Sequence, residues 1–305
     1  VNISIGEDAS LNYISSMVSD NHHGIWIGTH AGAILYSEGM YTLLDKRLGL
    51  CDDWITSVIC DRRGDTWFGT VDGVSRFDGL RVINYHFCAS DNAGLILDIH
   101  EDVNGNVWFC TDEALYHFNG ESFSRLAVAN PDVLKRVYCI EEDGQGVLWL
   151  GTLGNGLFRY DGASLINYSE RSGVANPYVV SMWESNGDLW LGTRGGILYA
   201  DIKELNQGQY NHEESENSLI AKDVQACFSS LNFSDGLMGI GVLHGSMMLD
   251  SKQRLWFGAP DRLTMIDTRK IAWNGVIPKI QLGGLDLFNE SMNWHMLQQH
   301  PDTSF

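Results

Sequence analysis

Residues 61–79 read DRRGDTWFGTVDGVSRFDG, and the tryptophan near their centre recurs along the chain. Trp26, Trp67, Trp108, Trp149 and Trp190 follow one another at intervals of 41 residues, and Trp256 comes 66 after Trp190. The phrases they open are WIGT, WFGT, WFCT, WLGT, WLGT and WFGA. A period near forty with one aromatic-glycine phrase per repeat marks a β-propeller, each repeat being one four-stranded blade. The expected fold class is all-β: a β-propeller of four-stranded antiparallel blades with six repeats countable.

Each repeat has the same internal grammar. Six residues before the tryptophan stands an acid: Asp20, Asp61, Asp102, Asp143, Glu184 and Asp250. Glycine follows three positions later at Gly64, Gly105, Gly146 and Gly187. This predicts a hairpin in which the acid accepts backbone N–H groups and Gly or Asn supplies positive φ. Alternating segments such as ITSVIC (55–60) before the turn form the innermost strand. The tryptophan phrase forms the second strand and segments such as DGVSRF the third. Turns at Asp78-Gly79, Asn119-Gly120 and Asp161-Gly162 then lead into an outer strand. The indoles are expected to pack between neighbouring blades, and the glycine two positions later to permit close approach.

Two departures matter. The long interval after Trp190 holds a polar insertion at about 202–225, with a short helix at its start, read as lying between the third and fourth strands of the fifth blade. At the other end, Val1-Asn2-Ile3 aligns with the outer-strand position of Ile83-Asn84-Tyr85. Six blades closed by this N-terminal strand is one solution. Seven, with residues near 271–305 joining it, is the other. The expected division is a propeller over 1–276 and a C-terminal extension over 277–305, the latter either closing strands or the start of an immunoglobulin-like segment.

Composition narrows the partners. The net charge of −19 disfavours nucleic acid and anionic membrane surfaces. No run of 18 apolar residues exists, so no direct membrane contact is expected of this segment. The opening VNISIGED lacks an initiator Met and a signal pattern, and reads as a mature or trimmed segment. Cys51, Cys60, Cys88, Cys110, Cys139 and Cys227 show no CxxC spacing, which argues against a disulfide framework or zinc.

Catalytic chemistry is not visible. The ten histidines show no HxxxH or HExxH spacing, and the His22-His23 pair falls in a turn. Asp52-Asp53 and Glu141-Glu142-Asp143 do not make a calcium site, since adjacent acids on a strand point to opposite faces. There is no GxSxG or P-loop. No catalytic residue, metal or cofactor is therefore assigned, although paired carboxylates for glycoside cleavage depend on a separation the sequence does not give.

Binding is better placed by geometry. Loops from second to third strand, and from outer strand to the next blade, share one face around the axis. His30, Asp72, Asp112, Glu113, Asn155, Arg194 and Asp261 fall in the first set; Asp53, Trp54, Asn92 and Tyr178 fall in the second. Unlike the turn acids, these vary from repeat to repeat, as a site assembled from several blades requires.

The pattern D-x-x-G-x-(x)-W-x-G-T-x-x-G-[IVL]-x-[RY]-[FY], seen in DRRGDTWFGTVDGVSRFDG and ESNGDLWLGTRGGILYAD, resembles the two-component regulator propeller repeat. The resemblance covers about residues 8–290 and includes Asp235-Gly236-Leu237, Trp256-Phe257-Gly258 and the run Pro278 to Asn289. It implies a non-enzymatic sensor domain of a bacterial membrane receptor, facing the periplasm. The implied partners are a small-molecule or oligosaccharide ligand and a second propeller or signalling domain of the same receptor. A propeller enzyme (polysaccharide lyase or hydrolase) and a lectin-like module are the alternative readings.

Overall fold

The computed structural model describes residues 9–20, 24–87, 94–128, 130–170, 173–207, 228–231, 237, 241–270, 285–287 and 290–292. They form a six-bladed propeller. The blades are β1–β4 (Ile14–Ser19, Ile25–Thr29, Gly32–Ser37, Met40–Leu44), β5–β8 (Ile55–Cys60, Thr66–Thr70, Gly73–Phe77, Val82–Tyr85) and β9–β12 (Ile96–Glu101, Val107–Thr111, Leu115–Phe118, Phe123–Arg125). The fourth and fifth are β13–β16 (Val137–Glu142, Leu148–Thr152, Leu157–Tyr160, Leu165–Tyr168) and β17–β20 (Val179–Ser185, Asp188–Thr193, Gly196–Asp201, Ser229–Leu231). The sixth has three strands among the described residues, β21–β23 (Met247–Leu249, Arg254–Ala259, Arg262–Asp267). Strands follow one another in order within every sheet, and the first strands β1, β5, β9, β13, β17 and β21 stand side by side around the hub.

The acid of each repeat does more than cap a turn. Asp61 Oδ1 accepts the N–H groups of Arg63 (3.0 Å) and Asp65 (2.9 Å), while Oδ2 accepts the Trp67 indole N–H at 2.8 Å. Asp102, Asp143 and Asp250 repeat this, with indole bonds of 2.9, 3.0 and 3.0 Å to Trp108, Trp149 and Trp256. The fifth blade departs from the expected grammar. Its hairpin is the tighter pair Asn186-Gly187, with φ of 57° and 87°, and Glu184 accepts the Gly187 N–H there.

The second strand faces two ways. Trp26 packs edge-on against Phe68 of the next blade at 5.0 Å, and Trp67 packs against Phe109 of the next at 5.3 Å. Trp108 with Leu150, and Trp149 with Leu191, repeat the contact within single buried clusters. So the tryptophan reaches forward and the residue after it receives the previous blade's indole. Alternation along one strand makes this possible.

Glycine then sets the spacing. A Cβ on Gly69 would lie 2.7 Å from Ile96 Cγ2, and one on Gly151 only 2.5 Å from Cys139 Sγ and 2.7 Å from Val179 Cγ1. Cys51, Cys60, Cys110 and Cys139 are free thiols, three of them buried as small core groups. Cys88 and Cys227 lie outside the described residues, as do Val1–Ile5 and the His22-His23 pair.

The insertion begins as expected, with a helix α1 (Ile202–Gln207), and β20 pairs with β19 to complete the blade beyond it. Residues 208–227 lie outside the described residues. The chain divides into two compact units, 1–266 and 267–305; in the second, Leu285–Leu287 and Glu290–Met292 pair as a short hairpin.

Burial is uneven at the two ends of the blade series. Trp26, Trp67, Trp108, Trp149 and Trp190 are buried, whereas Trp256 is half-buried; Met17, whose counterparts Val58, Ile99, Ile140 and Met182 are buried, is 64% exposed. Trp67→Ala should therefore destabilise the chain by about 3–5 kcal/mol, with a clearly smaller loss for Trp256→Ala, both read by urea unfolding. Gly151→Ala, which forces a Cβ into the neighbouring blade, should cost about 1–3 kcal/mol in the same measurement.

Candidate functional site

The threonine closing the first five tryptophan phrases fixes the turn that follows. Thr29, Thr70, Thr111, Thr152 and Thr193 donate to the carbonyls of Gly32, Gly73, Ala114, Gly156 and Gly196 at 2.7–2.9 Å. The same hydroxyls accept N–H groups inside the turn, from Ala31, Asp72, Glu113, Asn155 and Gly195. A turn closed on both sides holds its variable side chain in a fixed place.

Interblade loops dock onto these turns through their backbones. Gly32 N–H donates to Asp53 O at 2.7 Å, and Val71 N–H to Trp54 O at 3.3 Å. Arg136 N–H donates to Asp112 O, Gly154 N–H to Pro177 O and Val242 N–H to Thr193 O, at 3.0–3.1 Å. Both predicted loop sets thus meet on one face of the wheel.

Side chains on that face form local groups. The Tyr13 ring stacks on His30 at 5.1 Å with planes 5° apart, and His30 lies 4.3 Å from Trp54. Tyr13 and Trp54 remain exposed, at 64% and 48%. Farther round, the Arg194 guanidinium sits 4.7 Å over the Tyr178 ring. Asp72 Oδ1 lies 4.0 Å from His86 Nδ1. Burial pushes the Asp112 carboxyl up, and its Oδ1 is a buried atom without a hydrogen-bond partner.

Other predicted residues serve their own loops. Asp53 Oδ1 accepts the Lys46 N–H at 2.7 Å, and Asn155 Nδ2 donates to Val133 O at 3.2 Å. Asp261 pairs with Arg262, whose hydrogen bonds hold its carboxyl below the usual range. Glu113 is exposed in its turn. Asn92 lies outside the described residues. Ring contacts thus join His30 with Trp54 and Tyr178 with Arg194, while the rest stand singly around the rim.

Two sets of residues escaped the sequence reading. Tyr13 immediately precedes the first strand, at the position that Trp54 holds one repeat later. The second set lies at the hub: Asp98 and His100 on β9, Glu141 and Glu142 on β13, and His244 ahead of β21. Asp98 stands where other repeats carry Ser16, Ser57 and Cys139; His100 and Glu141 stand where others carry Val18 and Ile59. A carboxylate at a small-residue position, and His100 and Glu141 at an apolar one, were the available signal. A β-bulge interrupts the first strand of each of the first five blades, just before Asp98 on β9 and Cys139 on β13. Adjacent acids do point apart: Glu141 Oε1 accepts the Glu184 N–H of the fifth blade, and Glu142 Oε2 the Val103 N–H of the third.

Among the described residues, no group of three or more His, Cys, Asp or Glu side chains is placed to hold a metal ion. No helix among them is long and apolar enough to cross a membrane. Trp54 and Arg194 project from the rim, so Trp54→Ala and Arg194→Ala should each shift unfolding free energy by less than about 1 kcal/mol. Thermal melts of the two variants check this.

Known proteins resemble the chain in fold and repeat. Residues 134–154 match the family described as two component regulator propeller. Comparison with curated protein sequences gives no match. Among solved structures, the extracellular domain assigned to a hybrid two component system of B. thetaiotaomicron shares 18% identity at a TM-score of 0.59, over 92% of this chain and 44% of that one. Virginiamycin B lyase from Staphylococcus aureus shares 13% identity at 0.60, over 85% of this chain and 82% of the lyase. PorZ, a surface component of the type-IX secretion system of Porphyromonas gingivalis, shares 14% identity at 0.58, over 87% and 41%. This chain thus spans less than half the length of the first and third of these proteins. Such identities speak to the propeller fold alone, and the more specific finding is local: residues 134–154 match the two component regulator propeller repeat, and variants of their tryptophan phrase stand in the other five blades.

Proposed function

We propose that this propeller is a non-enzymatic ligand-sensing module of a two-component-type receptor, working outside the cytoplasm, and that its ligand is an oligosaccharide. The observation that carries the reading is the exposed stack of Tyr13, His30 and Trp54 on the loop face. Aromatic rings held with one face toward solvent offer flat apolar surface bordered by polar groups, which suits the C–H face of a sugar ring. Around the same rim, Asp72, Asp112, Asn155 and Arg194 supply the hydrogen-bonding variety a multi-hydroxyl ligand demands. The repeat at 134–154 supports the receptor assignment, and so does the fold shared with an extracellular domain of a hybrid two component system. A second wheel or a signalling domain of the same receptor is the proposed partner.

A thermal-shift screen against an oligosaccharide panel tests the reading. A ligand present at 100 times its Kd should stabilise the folded chain by about 2.7 kcal/mol, with no product formed. Tyr13→Ala and Trp54→Ala should weaken that ligand at least tenfold while leaving the melt of the free protein in place. Turnover of any panel member would support the propeller-enzyme alternative, and affinity unchanged in both variants would remove the loop-face assignment.

A further inference from the structure

The hub between the third, fourth and fifth blades holds more ionisable groups than the wheel needs for packing. Asp98 Oδ2 accepts the Ile140 N–H at 3.1 Å, and Oδ1 lies 3.3 Å from the Ser57 hydroxyl that donates to it. Glu141 Oε1 accepts the Glu184 N–H at 3.3 Å. The His244 ring reaches the carbonyl of Tyr138 through Nε2 at 2.7 Å and packs edge-on against the Tyr138 ring at 4.4 Å. Each contact joins different blades.

One contact is incomplete. His100 Nε2 faces Glu142 Oε2 at 3.6 Å, beyond hydrogen-bond reach, and both His100 Nε2 and Glu142 Oε1 are buried atoms without a hydrogen-bond partner. A neutral imidazole offers the carboxylate a hydrogen only in its Nε2–H form and brings no charge to the pair. A protonated ring donates from both nitrogens and closes the pair.

We propose that this hub is a proton-binding site: a proton taken up by His100 completes its contact with Glu142, protons on Glu141 and Asp98 relieve the crowding of buried negative charge, and together they tighten the third to fifth blades in mildly acid surroundings. Three carboxylates, Asp98, Glu141 and Glu142, crowd two adjacent strands. Facing them are His100 itself, Glu184 from β17, His244 from the segment before β21, the Ser57 hydroxyl from β5, and the thiols of Cys110 and Cys139. Burial holds both thiols well above their ordinary range, so they stay neutral.

The titration of the group agrees with the geometry. Burial pushes Glu141 up to about 7 and also raises Asp98. Burial works against the charged form of His100, but the nearby carboxylates of Glu142, Glu141 and Asp98 outweigh it, so the ring is raised. An acid whose folded value lies above its unfolded one binds more protons when folded, so stability grows as pH falls from about 7 toward 4.5. A raised histidine acts in the same direction: its contribution is complete below its unfolded value of 6.5 and is lost as pH rises through the folded one. Carboxylates held low, such as Asp78 at about 2, lose their contribution only in stronger acid.

Melting of the full chain between pH 8 and pH 5 tests the proposal. Tm should rise as pH falls, with the folding constant changing up to about tenfold per pH unit for each proton taken up. Glu141→Gln should flatten the slope by one proton. Asp132→Asn, which removes an exposed carboxylate, should leave the slope intact and so separate hub protons from general relief of negative charge. A Tm that is flat or falling from pH 8 to 5.5, or a slope unchanged in Glu141→Gln, would overturn it. Should Glu141→Gln fail to fold, hydrogen exchange on the unaltered chain decides. After correction for intrinsic rates, the amides of Ile140 and Glu184 should exchange more slowly at pH 5.5 than at 7.5, and equal or faster exchange refutes the site.

Discussion

A single carboxylate per blade ties the hairpin to the packing between blades. In the second, third, fourth and sixth blades its Oδ1 gathers two turn N–H groups and its Oδ2 takes the indole N–H six residues on. Asp61, Asp102 and Asp143 are nearly enclosed, where a charge without partners would be costly. Three N–H donors satisfy the anion, the turn gains its cap, and the large apolar ring gains a partner for its one polar atom. Asp102 shows the balance of terms. Burial works against its charge, but the bonds from Asn106 and Trp108 hold the carboxyl below its ordinary range. Losing the acid would leave three donors unpaired, a loss of about 1–3 kcal/mol for each buried one.

From that clamp the wheel follows by repetition. A tryptophan pinned at its nitrogen has one orientation, and in that orientation it meets the residue after the next blade's tryptophan. The third blade shows that the spacing tolerates small changes: Cys110 replaces the glycine there, and Val137 stands opposite in place of the isoleucines Ile55 and Ile96. Where an outward face meets less, as at Met17 and Trp256, exposure rises. Blade identity is therefore a property of pairs, since neither partner of a Trp–Phe contact is buried without the other.

The sequence made the architecture legible because every device in it recurs at fixed offsets. The acid and the indole are each read six times and the glycine and the threonine five times, so a single departure such as Glu184 does not obscure the rule. What failed there was local: the residue paired with the tryptophan stands seven positions before it (Trp183 with Trp190) instead of eight (Ile59 with Trp67), which leaves the two-residue turn Asn186-Gly187, and the acid capped the glycine instead. The loop face was legible as a location, because turns closed by Thr29 or Thr70 must project whatever lies between their ends. Its grouping was not, because which rings meet depends on loop paths such as that bringing Tyr13 onto His30. Tyr13 stands one 41-residue period before Trp54, so the repeat itself held the signal for it.

The hub was overlooked for the opposite reason. Its residues sit inside the repeats, and reading by repeat treats each position as one more copy of the same structural role. Asp98, His100 and Glu141 break that equivalence on two adjacent blades only, in the part of the first strand that follows the bulge. Inner strands expose an edge of unpaired N–H groups toward the axis, which a sheet must cover or satisfy. Ser16 does so for Val58 with a neutral hydroxyl at 3.2 Å, and Asp98 and Glu141 do so for Ile140 and Glu184 with carboxylates. Either choice satisfies the edge, but only the second makes the contact between blades depend on a proton. Architecture alone accounts for the hydroxyl; the carboxylates add a responsiveness the fold does not require.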